Sequence, residues 1–313
     1  MPAAVPSVAS VPSEPPAGGD RQLIGVDLGG TAIKLVRCDL SGRSLSRLRV
    51  PTPSLAMPGA VSMAIAEAVE RLDPQGQADR VGIGHPGPSD AAGRLARIAI
   101  NLPGWHDVPL ADWLEPRLNR RLTLDNDANC ALLGEAWQGA ARCVDNVLLL
   151  TLGTGVGGAV MLEGRLFRGP RGAAAEPGLI CVDPEGPPCN SGNRGSLEQF
   201  ASITGLARLG GDDPAELCRR ADGGDPQALE IWAAYGRWLG IGLSSLIYVL
   251  TPELVLLGGG LSGASRHFLP AVWREVNSRV LEVNREGLAI RRCALGNAAG
   301  GLGAAWLARE RLG

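Results

Sequence analysis

The chain of 313 residues carries a formal net charge of −2, 45% apolar residues and 44 glycines. That composition excludes a fibrous or largely disordered protein, and with no basic block it offers no electrostatic footprint for nucleic acid or anionic lipid, so a small-molecule partner is expected. The seven cysteines are scattered, odd in number and without a C-x-x-C pair, which fits reduced, mostly buried thiols in a reducing compartment.

Residues 1–20 are rich in Pro, Ala and Ser with neither a basic nor an apolar block, and read as a disordered tail rather than a signal peptide or anchor. "LIGVDLG" (23–29) is an apolar run ending in glycine, and "AIKLVRCDL" follows it directly, so the chain opens with antiparallel strands around a glycine turn. Residues 58–72 keep Val61, Ile65, Ala68, Val69 and Leu72 on one helical face behind Pro58. "RVGIGHPG" is a strand that breaks into a Pro/Gly loop, "LADWLEPRL" a short helix, and "RLTLDND" a strand running into the helix "ANCALLGEAWQ".

"NVLLLTLGTGVGGAVMLEGRLFRG" then places two strands around a second glycine turn, with a further turn at Glu163-Gly164. Helical spacing from Ile231 to Ile247 covers some 17 residues. "ELVLLGGG" is a buried strand delivering a third glycine loop, and "AAGGLGAAWLARERL" closes the chain as a helix. No apolar run approaches the roughly 20 residues of a membrane span. A cytoplasmic protein with no membrane or nucleic-acid partner is expected.

The glycine loops carry the chemistry. "GTGVGG" (153–158) satisfies G-x-G-x-x-G, but the fingerprint needs a helix to start within the glycines, and the β-type "AVMLEGRLF" follows instead. There is no G-x-x-x-x-G-K-[ST] loop. What remains is a pair of hairpins, "DLGGT" (27–31) and "LGTGVGG", plus "LGGG" (257–260). Glycines let backbone N–H groups approach phosphate oxygens closely, and two such hairpins point to a nucleotide cleft between two related halves. The only lysine in the chain, Lys34, lies three residues beyond the first hairpin. A compact ammonium suits a crowded phosphate-facing or hairpin-packing position better than a planar guanidinium.

"GVDLGGTAIK", "NLPGW", "DNDANC", "LGTGVGGAVMLEGRLFRG", "AAAEPG", "GSLEQFAS" and "LLGGG" together resemble, in order and spacing, the ROK family of sugar kinases and repressors. The resemblance runs from about residue 22 to the C-terminus. It implies the two-lobed actin-like ATPase (ribonuclease H-like) α/β fold with a cleft between lobes. The expected division is a tail, 1–20; a smaller lobe, 21–125, completed by the helix 299–313; and a larger lobe, 126–298. Repressor members carry a DNA-binding segment ahead of the first glycine hairpin, so the kinase branch is the expectation.

Roles follow from the resemblance residue by residue. Asp127 matches the catalytic base, and a helix start there is expected to favour its ionised form. Asn126, Asn101 and Gly87 match sugar-side residues, and Glu176 and Glu198 the carboxylates that accept sugar hydroxyls, each able to take two donors in fixed directions. Asp27 matches the acid that helps hold the nucleotide's Mg²⁺. Gly29, Gly30, Thr31, Lys34, Gly153, Thr154 and Gly155 are expected around the phosphates, and Gly258, Gly259 and Gly260 on the adenosine side. His85, His106 and His267 match no ligand and are taken as loop or surface residues.

The implied activity is transfer of a phosphoryl group from ATP to a hexose, glucose in first place, by a homodimer whose lobes close over the sugar. Another hexose or an N-acetylhexosamine as acceptor, inorganic polyphosphate as donor, and a non-catalytic sugar sensor are the alternatives. One stretch departs from the family. Zinc-containing members carry a histidine and three cysteines where this chain has Leu179, Cys189, Ser191 and Ser196. A lone thiolate cannot complete a four-coordinate shell, so no structural zinc is expected in the 187–200 loop.

Overall fold

The structure, a computed structural model, describes residues 21–99 and 102–311. The tail and Asn101 lie outside the described residues. In chain order the strands are β1 (Gln22–Leu28), β2 (Ala32–Asp39), β3 (Ser44–Pro51), β4 (Ala78–His85), β5 (Ala96–Ile98), β6 (His106–Val108), β7 (Arg121–Asn126), β8 (Val147–Leu152), β9 (Val156–Leu162), β10 (Arg165–Leu166), β11 (Leu254–Gly258) and β12 (Ala289–Arg292). The helices are α1 (Pro58–Leu72), α2 (Leu110–Leu118), α3 (Asp127–Gln138), α4 (Glu198–Ala201), α5 (Ile203–Arg208), α6 (Pro214–Asp222), α7 (Pro226–Leu250), α8 (Ser265–Arg279), α9 (Glu282–Arg285) and α10 (Ala299–Arg311).

Two five-stranded sheets share one strand order. The first runs β3-β2-β1-β4-β7 and the second β10-β9-β8-β11-β12, so in each the third, second, first, fourth and fifth strands succeed one another. β1, β2 and β3 are joined antiparallel, whereas β4 and β7 continue parallel to β1. β11 likewise runs parallel to β8 and to β12. Of the parallel strands, β8 and β11 are nearly continuous runs of Val and Leu because both faces are covered, as expected of α/β layering.

The chain divides into two compact units, residues 21–145 with 160–175 and 294–311, and residues 146–159 with 176–293. The first division therefore falls after α3, not at the 125/126 boundary expected from sequence. The reason is backbone contact: a Cβ on Gly303 of α10 would stand 1.6 Å from the Cys130 carbonyl oxygen of α3, and one on Gly134 would stand 2.2 Å from that of Ala299. Gly25 of β1 and Gly82 of β4 meet α10 just as closely, at the carbonyl oxygens of Gly301 and Ala304. Glycine at these positions lets α10 lie directly on the first sheet, which binds the last helix and α3 into one core with it.

In the second unit α7 is longer than the apolar stripe that predicts it. Asp225 caps its start by accepting from the Gln227 and Ala228 amides, and Pro226 occupies the first helical position, so the helix begins before Ile231. Its own Trp232 and Tyr235 are fully buried against Phe268 of α8. Among the described residues no helix is long and apolar enough to cross a membrane. Only Cys38, Cys130 and Cys189 of the seven cysteines are buried, fewer than composition leads one to expect.

Candidate active site

In the first unit the predicted residues gather at the carboxyl ends of parallel strands. Register sets this: Asp27 lies opposite Gly84 between β1 and β4, and His85 opposite Asn126 between β4 and β7. Asp27, Gly87, Asn126 and Asp127 thus leave the sheet along one edge, where open α/β sheets bind ligands. Asn126 caps α3 by accepting from the amides of Ala128 (2.8 Å) and Asn129 (3.2 Å), and its Nδ2 donates to the Gly87 carbonyl at 3.3 Å. Gly87 takes φ +88°, and a Cβ there would stand 1.9 Å from the Ile98 carbonyl oxygen, so only glycine allows this turn.

Asp127 opens α3, and its Oδ1 accepts from the Ala128 amide at 2.8 Å. The helix start was expected to keep this carboxyl acidic. The opposite holds: burial, and secondarily the charge of Asp27, push its pKa from 3.8 up to about 6, outweighing the amide bonds that favour the ionised form. A carboxylate poised there is a stronger base than a free aspartate yet remains about nine-tenths ionised at pH 7.

Asp27 is itself held by the chain's only lysine. The two are cross-strand partners in the β1–β2 register, and Lys34 Nζ stands 3.1 Å from Asp27 Oδ2. The hairpin between them is buckled by Thr52, whose hydroxyl donates to the Gly29 carbonyl at 2.7 Å and whose amide donates to that of Thr31 at 3.2 Å. Gly30 and Thr31 are left exposed at the tip.

Behind the predicted base lies a buried polar network. Asp125 is 2% exposed and accepts from the Asn126 amide and Asn129 Nδ2, both at 2.8 Å, and from Arg168 Nε. Arg168, on the loop after β10, is buried beside it. His85 is fully buried at the end of β4, not in a surface loop. Burial pushes its pKa down, so the ring is neutral. Its Nδ1 faces the Pro86 carbonyl oxygen at 3.0 Å and its Nε2 the Ser89 hydroxyl at 2.8 Å, which fixes the proton on Nδ1, because a carbonyl can only accept. His106 is exposed as expected, whereas His267 sits on α8 rather than in a loop.

In the second unit Gly153-Thr154-Gly155 turns β8 into β9, and the Gly153 amide donates to the Gly155 carbonyl at 3.0 Å. Gly258 pairs with Thr151 in the β11–β8 register, so the loop 258–260 leaves the same sheet edge as this hairpin. Gly259, at φ +79°, is pressed against the Leu152 backbone, with its absent Cβ only 2.3 Å from that carbonyl oxygen. The glycines of the second and third loops therefore adjoin. Glu198, at the start of α4, accepts from the Val156 amide at 3.0 Å, and a Cβ on Gly155 would lie 2.2 Å from that carboxylate oxygen. Glu176 is exposed just before a single 3₁₀ turn, Pro177–Leu179, whose Gly178 packs on the Val156 carbonyl.

The 187–200 loop is closed by its own backbone. Cys189 and Asn193 form one turn (2.8 Å), and the Gly195 carbonyl accepts from Val182 (2.8 Å). Gly195 takes φ +57° with no room for a Cβ beside the Asp183 carbonyl. Asn193 Nδ2 donates to the Leu179 carbonyl at 3.1 Å. Ser191 donates to the Cys189 sulfur at 3.3 Å, and α4 has no side-chain cap from Ser196, which is buried. Burial alone would raise the Cys189 thiol, and the hydroxyls of Ser191 and Ser196 more than offset it, leaving the pKa lowered.

Duplicated sheets in this strand order, each delivering a glycine hairpin from its first strand, define the actin-like ATPase fold. A family model described as "ROK family" matches residues 23–311. A glucokinase of Halalkalibacterium halodurans is 34% identical, covering 93% of this chain and 96% of its own length. An N-acetyl-D-glucosamine kinase of Shigella flexneri is 35% identical over 90% of this chain and 98% of its own. The crystal structure of a ROK family glucokinase from Streptomyces griseus, in complex with glucose and AMPPNP, superposes with a TM-score of 0.80 at 32% identity, covering 92% of this chain and 99% of that one. The chain belongs to the ROK family.

Proposed function

We propose that this protein is an ATP- and Mg²⁺-dependent hexose kinase that phosphorylates the 6-hydroxyl of glucose. The observation that carries this reading is Asp127, a carboxylate at the start of α3 with its pKa raised to about 6, standing beside Asp27 at the carboxyl edge of the first sheet. In phosphoryl transfer the acceptor hydroxyl must be oriented and its proton taken as the bond to phosphorus forms. Asp127 accepts that proton at its carboxylate oxygen, and the Asn126 cap and the Asp125–Arg168 pair hold the helix start that aims it. Glu176 and Glu198 accept sugar hydroxyls. The hairpin amides around Gly29–Thr31 and Gly153–Gly155 bind phosphate oxygens, with Gly258–Gly260 against the nucleoside.

Asp27 fits the metal: its carboxylate is a hard oxygen donor beside the phosphate hairpin, 18% exposed, and the absent side chain of Gly300 leaves room next to it. When bound, Mg²⁺ neutralises charge on the transferred phosphoryl group. Lys34 holds Asp27 in place from the neighbouring strand. The 187–200 loop works without zinc, held by the bonds described above, in a cytoplasmic, dimeric enzyme.

The test is a panel of hexoses and N-acetylhexosamines offered with ATP and Mg²⁺, scored by ADP release against an Asp127→Ala control. Turnover of glucose that vanishes in the control is expected, and no turnover of any sugar above that control would sink the proposal. The similarity to an N-acetyl-D-glucosamine kinase supports a second reading, in which the N-acetylhexosamine is the preferred acceptor. A higher kcat/KM for that sugar than for glucose would establish it.

A further inference from the structure

Helices α6 and α8 bring together three side chains for which phosphoryl transfer has no use. Cys218 and Asp222 stand four residues apart and so share one face of α6, while His267 comes from the first turn of α8. The Cys218 sulfur, an Asp222 carboxylate oxygen and a His267 ring nitrogen all lie within 4.8 Å of one another. His267 Nε2 is already 3.0 Å from Asp222 Oδ1. Ligand atoms around a tetrahedral ion with bonds of about 2.0–2.3 Å stand about 3.4–3.6 Å apart. Small side-chain rotations therefore close the set.

Arg266 occupies the remaining side. Its guanidinium donates to both Asp222 oxygens and, at 3.3 Å, to the Cys218 sulfur. The Arg266 and Asp222 side chains are 54% and 45% exposed, and an ion pair this open contributes little to the fold, so the guanidinium is free to turn into solvent.

We propose that Cys218, Asp222 and His267 form a binding site for a zinc-class divalent ion, which enters by displacing Arg266. A thiolate and an imidazole select a borderline-soft ion and reject Mg²⁺, which takes oxygen ligands, so this site is distinct from the nucleotide's metal. It is also distinct from the 187–200 loop, where Cys189 has no other thiol or imidazole ligand at the positions that Leu179, Ser191 and Ser196 fill. A bound ion replaces the Arg266 link and pins α6 to α8, with its fourth position open to water.

Co²⁺ is the probe, titrated into reduced protein freed of metal by chelation. The expected result is a thiolate-to-cobalt charge-transfer band with the intense ligand-field bands of a four-coordinate ion, saturating at one equivalent and abolished by added Zn²⁺. The bands are expected to persist in Cys189→Ser, to disappear in Cys218→Ser, and to saturate at lower Co²⁺ in Arg266→Gln. Circular dichroism checks that Cys218→Ser, altered at a partly exposed position, keeps the fold. Absence of the bands from the unaltered protein, their survival in Cys218→Ser, or their loss in Cys189→Ser would overturn the proposal. An Arg266→Gln variant that binds no tighter would overturn the displacement.

Discussion

Lowering the pH through 6 is expected to switch the enzyme off at a single residue. The Asp127 carboxyl rises from 3.8 to about 6, first because burial penalises its charged form and second because Asp27 adds a like charge nearby. A shift of that size corresponds to roughly 3 kcal/mol of preference for the protonated form. The ionised fraction falls from about nine-tenths at pH 7 to half near pH 6 and about a tenth at pH 5. The acid limb of the rate at subsaturating sugar and MgATP, which reports the free enzyme, followed from pH 5 to 8, should therefore have unit slope and an apparent pKa near 6. In Asp27→Asn the residual activity should show the limb displaced to lower pH, yet still above the value of a free aspartate, because burial remains. A limb below about pH 4.5 in the unaltered enzyme would refute Asp127 as the base, and one that Asp27→Asn leaves unmoved would refute the contribution of Asp27.

Arg168→Met should destabilise the protein by about 3–5 kcal/mol in chemical denaturation, since it strands the buried Asp125 charge, and pairing it with Asp125→Asn should return part of that loss. Gly155→Ala should push the Glu198 carboxylate off the second hairpin and raise KM for sugar more than for ATP, as steady-state kinetics with each substrate varied will show. Cys189→Ser and chelator treatment followed by Mg²⁺ should each leave kcat unchanged; a zinc requirement that persists in Cys218→Ser and is lost in Cys189→Ser would show that the 187–200 loop needs a metal after all.

Local signals were legible in the sequence and long-range ones were not. Both glycine hairpins, the 58–72 helix and the start of α3 depend on neighbours within a few residues, and each stands where its motif placed it. The Arg168–Asp125 pair joins positions 43 apart in the chain, and nothing near Arg168 marks it as buried rather than as one more surface arginine. His85 is hidden from sequence for a similar reason: the Pro/Gly sequence after it signals a loop, but β4 pairs parallel with β7 through His85 itself, and the ring is buried at the strand's end. The glycines of α10 read as weak helix formers, and only the packing shows that Gly303 leaves space for the α3 backbone at Cys130. The raised Asp127 pKa was likewise out of reach, because a helix dipole is readable from sequence whereas burial and the facing Asp27 are properties of the fold.

Asp127→Asn puts that last point on an energetic footing. A carboxyl whose pKa is higher in the folded chain than in the unfolded one binds its proton more tightly when folded, so the fold is favoured below pH 3.8 and penalised as pH rises through about 6. Asparagine keeps an acceptor for the Ala128 amide and carries no charge, so it removes the penalty without unmaking the cap that Asn126 provides. At pH 7.5 the variant should be more stable than the parent by up to about 3 kcal/mol, a ceiling set by the whole shift, and the gain should vanish by pH 4. Thermal denaturation of both proteins across that range measures it. A stability gain that is absent at neutral pH, or that persists unchanged in acid, would mean that the Asp127 carboxylate is not under strain. In that case its placement could not be read as stability given up for a base of the right strength.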